Sequence, residues 1–319
     1  MTGKKNIIIS LTALLMCLSG CSGNIEPQGN KQPVIEPPVT EPPVVVPPTD
    51  GNEKKIPIRI STSTTTKVTE QGYDKGDRVG IYMVNYSGSS PDKLKQEGNY
   101  LDNVGFTFDG TQWNPEKEVF WMDKSTTADF YCYYPHNSEI ADIHNIPLAV
   151  KADQSKQSAY KGSEFMYGKT NGANPSQDAV NIMTTHIMSK LVIILEPGIG
   201  YTTESLENED IAITITGLKT EGSVDLSDGR TRANGSTKDM IPYKAGKHWE
   251  ALVIPQSIED VKLLEVRIGK NTYTMQQTIT FKSNWQHKCK LSVDKLNDGV
   301  NIGINGWETD DKDYGGILQ

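Results

Sequence analysis

Cysteine is scarce in this chain of 319 residues: there are four, and none stand at the spacing of a metal site. Cys17 and Cys21 fall near the start, so the rest of the chain holds only Cys132 and Cys289. That excludes a small scaffold held by a dense disulfide framework. Histidine is equally thin. His136, His144, His186, His248 and His287 are scattered, with no His-Glu-x-x-His pair, so zinc chemistry has no ligand set. No Gly-x-Ser-x-Gly elbow occurs and no carboxylate spacing marks an acid–base pair, so neither hydrolase pattern is present. Asp311–Gly316 has some character of a calcium loop, but the chain stops before the glutamate such a loop needs. No catalytic residue, metal or cofactor is expected. Positive charge is in deficit, with Lys+Arg 32 against Asp+Glu 40, which argues against nucleic acid as a partner. No apolar run approaches the roughly 20 residues of a membrane-spanning helix.

What is present begins at the N-terminus, MTGKKNIIISLTALLMCLSGCSG. Lys4 and Lys5 precede a short apolar run, Ile7 to Leu18, and then come small residues. This order is that of a secretory signal peptide. Leu18, Ser19, Gly20 and Cys21 also match a bacterial lipobox, in which the cysteine is acylated and becomes the first mature residue. Cys21 is the expected lipid anchor. Removing residues 1–20 takes Lys4 and Lys5 and no acid, leaving a still more acidic chain. Residues 21–55 follow as a linker, and 22–55 hold 8 of the 17 prolines, with pairs at 37–38, 42–43 and 47–48. Proline fixes φ and removes a donor, so this stretch favours extended polyproline II over helix or sheet. At about 3.1 Å per residue it reaches roughly 90 Å when fully extended.

From Pro57 onward the pattern has period two. PIRIS, RVGIYMV, VGFTF, ADFYCYY, KLVIIL, IAITITGL, GSVDLSDG, KLLEVRIG, TYTMQQTITF, HKCKLSV and VNIGING alternate apolar with polar, or are short apolar runs between turn residues. Asp109-Gly110 after Phe108 predicts a hairpin tip, and Gly269-Lys270 predicts another. One short helical turn is expected near Ser158–Phe165. Many strands with no interleaved helices predict an all-β chain of packed sandwiches. The boundary is placed near residue 184, giving units at 56–184 and 185–319. In ADFYCYY, Phe130, Cys132 and Tyr134 share one face and Tyr131 and Tyr133 the other. Cys132 and Cys289 lie far apart in strand-like stretches; an extracytoplasmic compartment would allow them to pair, while two buried free thiols fit the spacing better. Trp113, Trp121, Trp249, Trp285 and Trp307 are expected as core or edge residues rather than sugar-stacking platforms.

Several stretches together resemble the fimbrillin family, the FimA-like and Mfa-like pilus subunits of Bacteroides-type bacteria. They are Gly76-Asp77-Arg78-Val79-Gly80-Ile81-Tyr82, Ala128-Asp129-Phe130-Tyr131-Cys132-Tyr133-Tyr134-Pro135, Phe165-Met166-Tyr167-Gly168, His186-Ile187-Met188-Ser189-Lys190-Leu191 and Gly306-Trp307. They span about residues 56–308. The resemblance implies two tandem transthyretin-like β-sandwiches, export as a lipoprotein, and a structural component of fimbriae at the outer membrane or cell surface. It implies partners that are other fimbrial subunits, joined by β-strand addition, with host or bacterial surface glycans or proteins as further partners in adhesion. In shaft subunits of the family a protease removes the first strand, and a neighbour's strand fills the groove. Here that strand is Ile56–Ser61, with Ile56, Ile58 and Ile60 on one side, Arg59 the candidate cleavage site and Lys54 and Lys55 other basic candidates; the alternative for Arg59 is a solvent-facing strand residue. After Trp307 the sequence is polar and acidic with little strand character, so no evident donor strand follows Ile304. That points to a minor, anchor or tip subunit; the alternative is a stand-alone glycan-binding outer-membrane lipoprotein.

Overall fold

The computed structural model describes residues 55–64, 72–296 and 299–310. The chain runs through β1 (Ile60–Thr64), β2 (Arg78–Ser87), β3 (Ser90–Pro91), β4 (Leu101–Phe108), β5 (Trp113–Pro115), β6 (Ala128–Tyr134), β7 (Ile146–Ala149), α1 (Gln157–Lys161), β8 (Met166–Ala173) and β9 (Val180–His186). These strands, β7 apart, form one sheet in the order β1-β9-β8-β6-β2-β4-β5, with β3 beside β2. Next come β10 (Ser189–Pro197), α2 (Thr203–Glu207), β11 (Ile211–Val224), β12 (Thr231–Met240), β13 (Tyr243–Ala245), β14 (His248–Val253), β15 (Gln256–Ile268), β16 (Asn271–Phe281), β17 (Gln286–Leu296) and β18 (Gly299–Asp310). They make two five-stranded sheets, β13-β14-β10-β17-β18 and β12-β11-β15-β16, the latter taking β7 against β11. The architecture is all-β, as the alternation predicts. The change of sheet comes at 187–188, between β9 and β10.

β6 shows why the sequence folds this way. It is buried on both faces, because its sheet divides two cores. Phe130 and Cys132 enter an inner core with Ile58, Val79, Ile81 and Ile182, and Tyr134 packs against it. Tyr131 and Tyr133 face a larger core that runs on into Leu191, Leu252 and Leu264. The two faces are those expected from the sequence. The motif glycines serve close approach. A Cβ on Gly80 would lie 2.2 Å from Cε1 of Tyr133, its cross-strand partner, and one on Gly168 would lie 2.6 Å from the Met183 carbonyl oxygen. Cys132 and Cys289 are free and buried, in different cores.

Both expected hairpins form. Asp109 Oδ1 accepts from the N–H groups of Thr111 (2.8 Å) and Gln112 (2.9 Å), turning β4 into β5. Gly269, at φ 57°, turns β15 into β16. Two expectations are corrected. The strand in GSVDLSDG ends at Val224, because Asp225 Oδ1 captures the N–H of Ser227 (2.9 Å) and the carbonyl of Asp225 that of Gly229 (2.7 Å), closing a turn. And β18 does not fade at Trp307: its backbone pairs with β17 as far as Gln286↔Asp310. Backbone donors and acceptors are the same under any side chain, so a polar sequence can complete a ladder that a neighbour begins.

His287 sits in the core between the rings of Phe281 and Trp285, at centroid distances of 5.2 and 6.3 Å. Burial, helped by the Lys282 charge, pushes its imidazole down to about 4. The unfolded chain protonates first as pH falls, so the stability contributed by neutral His287 is full above about 6.5 and is lost toward about 4. The unfolding temperature of His287→Phe is expected to fall less between those pH values than that of the parent. Equal slopes would show that other groups govern acid sensitivity.

Candidate functional site

The segment 55–64 forms a strap that changes partner midway. Residues 56–58 lie antiparallel to 119–121: Ile58 N–H donates to the Val119 carbonyl and Trp121 N–H to the Ile56 carbonyl, each at 2.9 Å. Pro57 bridges Phe120 at the strap's start, a position where a missing N–H costs no ladder bond. From Arg59 onward the strap turns to β9. Val180 N–H donates to the Arg59 carbonyl at 2.8 Å, and Ile60–Thr64 runs parallel to Val180–Thr184.

Period two then decides the faces. Ile58 (3% exposed) and Ile60 (5%) point into the inner core with Val119, Trp121, Phe130 and Ile182, and Ile56 packs at its margin. Arg59 points out, exposed, with Nη1 donating to the Gln177 carbonyl at 3.1 Å. The three isoleucines are thus brought together as expected. The Arg59–Ile60 peptide bond lies inside the paired stretch, so a protease must lift the strap to reach it. Leu18, Ser19, Gly20 and Cys21 lie outside the described residues.

Beside the outer edge of β1 is a cleft of about 800 Å³, walled by Ile60, Thr62, Tyr73, Phe108, Trp113 and Val119. β1 and β5 are the two ends of the eight-stranded sheet, and both line this cleft, so the sheet curls round until its ends meet there. Trp113 Nε1 donates to Thr62 Oγ1 across it at 3.0 Å. Tyr73 caps one end. Its ring meets Trp113 edge-on at 4.9 Å, its hydroxyl lies 3.0 Å from Thr184 Oγ1, and burial holds its phenol pKa well up. An edge strand beside an apolar trough can take up another extended segment: backbone groups supply affinity, and alternate side chains set register.

Trp113 and Trp121 are expected core residues, but the pairing of Val119–Trp121 with the strap is not evident in the sequence. Its signal was the apolar run Val119-Phe120-Trp121, too short to place without its partner. Trp113, Trp121 and Trp249 are buried, as expected of core residues. The polar positions His186 and Lys190 of the His186–Leu191 motif are also structural. His186 Nδ1 meets Glu164 Oε2 at 3.0 Å, and Lys190 Nζ meets Glu250 Oε1 at 2.9 Å.

Comparisons with known proteins give the family and the fold. The profile of a family described as fimbrillin-like matches residues 66–307. A proposed fimbrium tip subunit, Fim1C, of Bacteroides ovatus is 28% identical over 185 residues, which cover 47% of this chain and 32% of that protein. The match therefore spans about a third of that relative's length. A proposed fimbrium subunit, Fim1C, of Bacteroides uniformis is 23% identical over 262 residues, 79% of this chain and 76% of that protein. In fold, the chain is similar to a proposed cell adhesion protein from Bacteroides ovatus, with TM-score 0.64, 16% identity, and 81% and 98% of the two chains covered. It is also similar to one from Bacteroides uniformis, with TM-score 0.59, 18% identity, and 79% and 98% covered. Matched over most of its length and built as the motifs require, the chain belongs to the fimbrillin-like family.

Proposed function

We propose that this fimbrial subunit is a minor, anchor or tip component that keeps its first strand and is held at the outer membrane by lipid on Cys21. Two sandwich units, 56–184 and 185–319, form the body that the proline-rich linker carries away from the lipid surface. Assembly with other subunits proceeds by β-strand addition, for which the cleft between β1 and β5 offers an edge and an apolar trough. The observation that carries the reading is the strap. It fills the inner core with Ile58 and Ile60 and is bonded first to 119–121 and then to β9, and cutting at Arg59 would free the body from its own anchor. Adhesion to a surface glycan or protein is the further role that such a position serves.

Protein isolated from its native membrane should begin at an acylated Cys21, read by intact mass, and Cys21→Ala should remain unprocessed or be released. Stable anchoring takes more than one acyl chain, which diacylglycerol plus an N-acyl group provides. A mature N-terminus at Ile60 would overturn the anchored reading and make this a polymerising subunit.

A further inference from the structure

A second cleft, of about 460 Å³, opens at the Pro197 end of β10, between α2 and the turn that joins β13 to β14. It is within the size range of small-molecule sites. Its floor is aliphatic, made by Ile194, Leu195, Leu206 and Ile211. Trp249 forms a wall and is 7% exposed, with Lys244 Nζ standing over its ring at 5.3 Å from the centroid. At the rim Lys247 Nζ holds Glu207 Oε1 at 2.7 Å.

These features select among ligands. A pyranose needs an open aromatic face, and that of Trp249 is buried beneath Lys244. A neutral apolar molecule would use the floor and leave the Lys244 ammonium unanswered. Lys244 is exposed, and it stands over the face of a ring, whereas Lys247 is already matched by Glu207. A ligand with an aliphatic body and one negative oxygen head answers both floor and rim.

We propose that this cleft binds a small amphipathic carboxylate. The chain lies along Ile194, Leu206 and Ile211, and the carboxylate accepts from the Lys244 ammonium. Lys247 acts as a second cation held back by Glu207. The site is separate from the strap and independent of how the subunit assembles.

The test is calorimetric titration of the full chain with decanoate, decanol and glucuronate. Decanoate should bind saturably, with decanol and glucuronate each weaker by about tenfold or more, the worth of one charge-assisted hydrogen bond or of the buried chain. Lys244→Gln should weaken decanoate by about tenfold, while Glu207→Gln, which frees Lys247, should tighten it. Both substitutions are at exposed positions, and an unchanged unfolding temperature confirms that each variant is folded. No saturable binding of decanoate, equal binding of decanol, or an affinity that neither substitution moves would overturn the proposal. So would a Glu207→Gln variant that binds more weakly, since opposite signs at Lys244 and Glu207 are what a cation-seeking head requires.

Discussion

A chain lacking residues 1–61 is expected to lose its stable monomer, while one lacking only residues 1–53 unfolds at the same temperature as the mature protein. The difference is the strap. Ile58 and Ile60 are buried at 3% and 5%, and emptying such sites to alanine costs about 2–5 kcal/mol each. Deletion also strips the partners of the Val119 carbonyl and of the Trp121 and Val180 N–H groups. Against the usual total of about 5–15 kcal/mol, those losses leave little. The exposed trough then seeks another strand, from a second copy or by aggregation. Light scattering after size exclusion reads the outcome, and a synthetic peptide covering 55–64 should restore the monomer. If the shorter chain stays monomeric with an unchanged transition, the strap is peripheral. A drop of several degrees on removing 1–53 would mean that the proline-rich segment packs on the body after all.

The second large effect concerns the point where the sheets change. Residues 185–319 expressed alone should fail to fold cooperatively, although they contain every strand of the two five-stranded sheets but β7. Their sheets borrow from the first half of the chain. β7 pairs with β11 from Ile146↔Val224 to Ala149↔Glu221, and Ile146, Leu148 and Val150 enter the larger core. The amide of Gln154, fully buried, closes a two-bond pair with Leu252: Nε2 donates to its carbonyl and Oε1 accepts from its N–H, both at 2.9 Å. Tyr160 from α1 donates to Glu250 Oε2 at 3.0 Å. Glu250 is held below the usual carboxylate range, against the cost of its burial, by Lys190, His248 and Tyr160. Gln154→Ala in the intact chain leaves the two Leu252 groups unpaired, at about 1–3 kcal/mol each. At about 2–4 °C per kcal/mol for a body of this size, the single transition should drop by several degrees. A cooperative transition and dispersed amide spectrum from 185–319 would refute this coupling.

Alternation of apolar and polar residues is a local property, and it determined most of the strands. It placed the two faces of β6 correctly, because a side chain's face follows from its parity along the strand. It also put Ile56, Ile58 and Ile60 together on one side of the first strand. The hairpins at Asp109 and Gly269 were legible because their turn residues stand in the sequence. The family motifs were legible for the same reason, since Gly80 and Gly168 mark places where only hydrogen fits.

Pairing partners were decided only in the folded chain. β12 is almost wholly exposed and shows no apolar period; it is a strand because β11 offers it a ladder. The last residues of β18 are strand for the same reason, against β17. β7 leaves its neighbours in sequence to join the sheet of the other half, and the strap trades 119–121 for β9 at Arg59. In each case the bond is between backbone groups that every residue but proline carries, so no side-chain pattern names the partner. The sequence thus determined which residues turn inward. Which edges meet, and so where an open edge and its trough lie, depended on how the whole sheet curls.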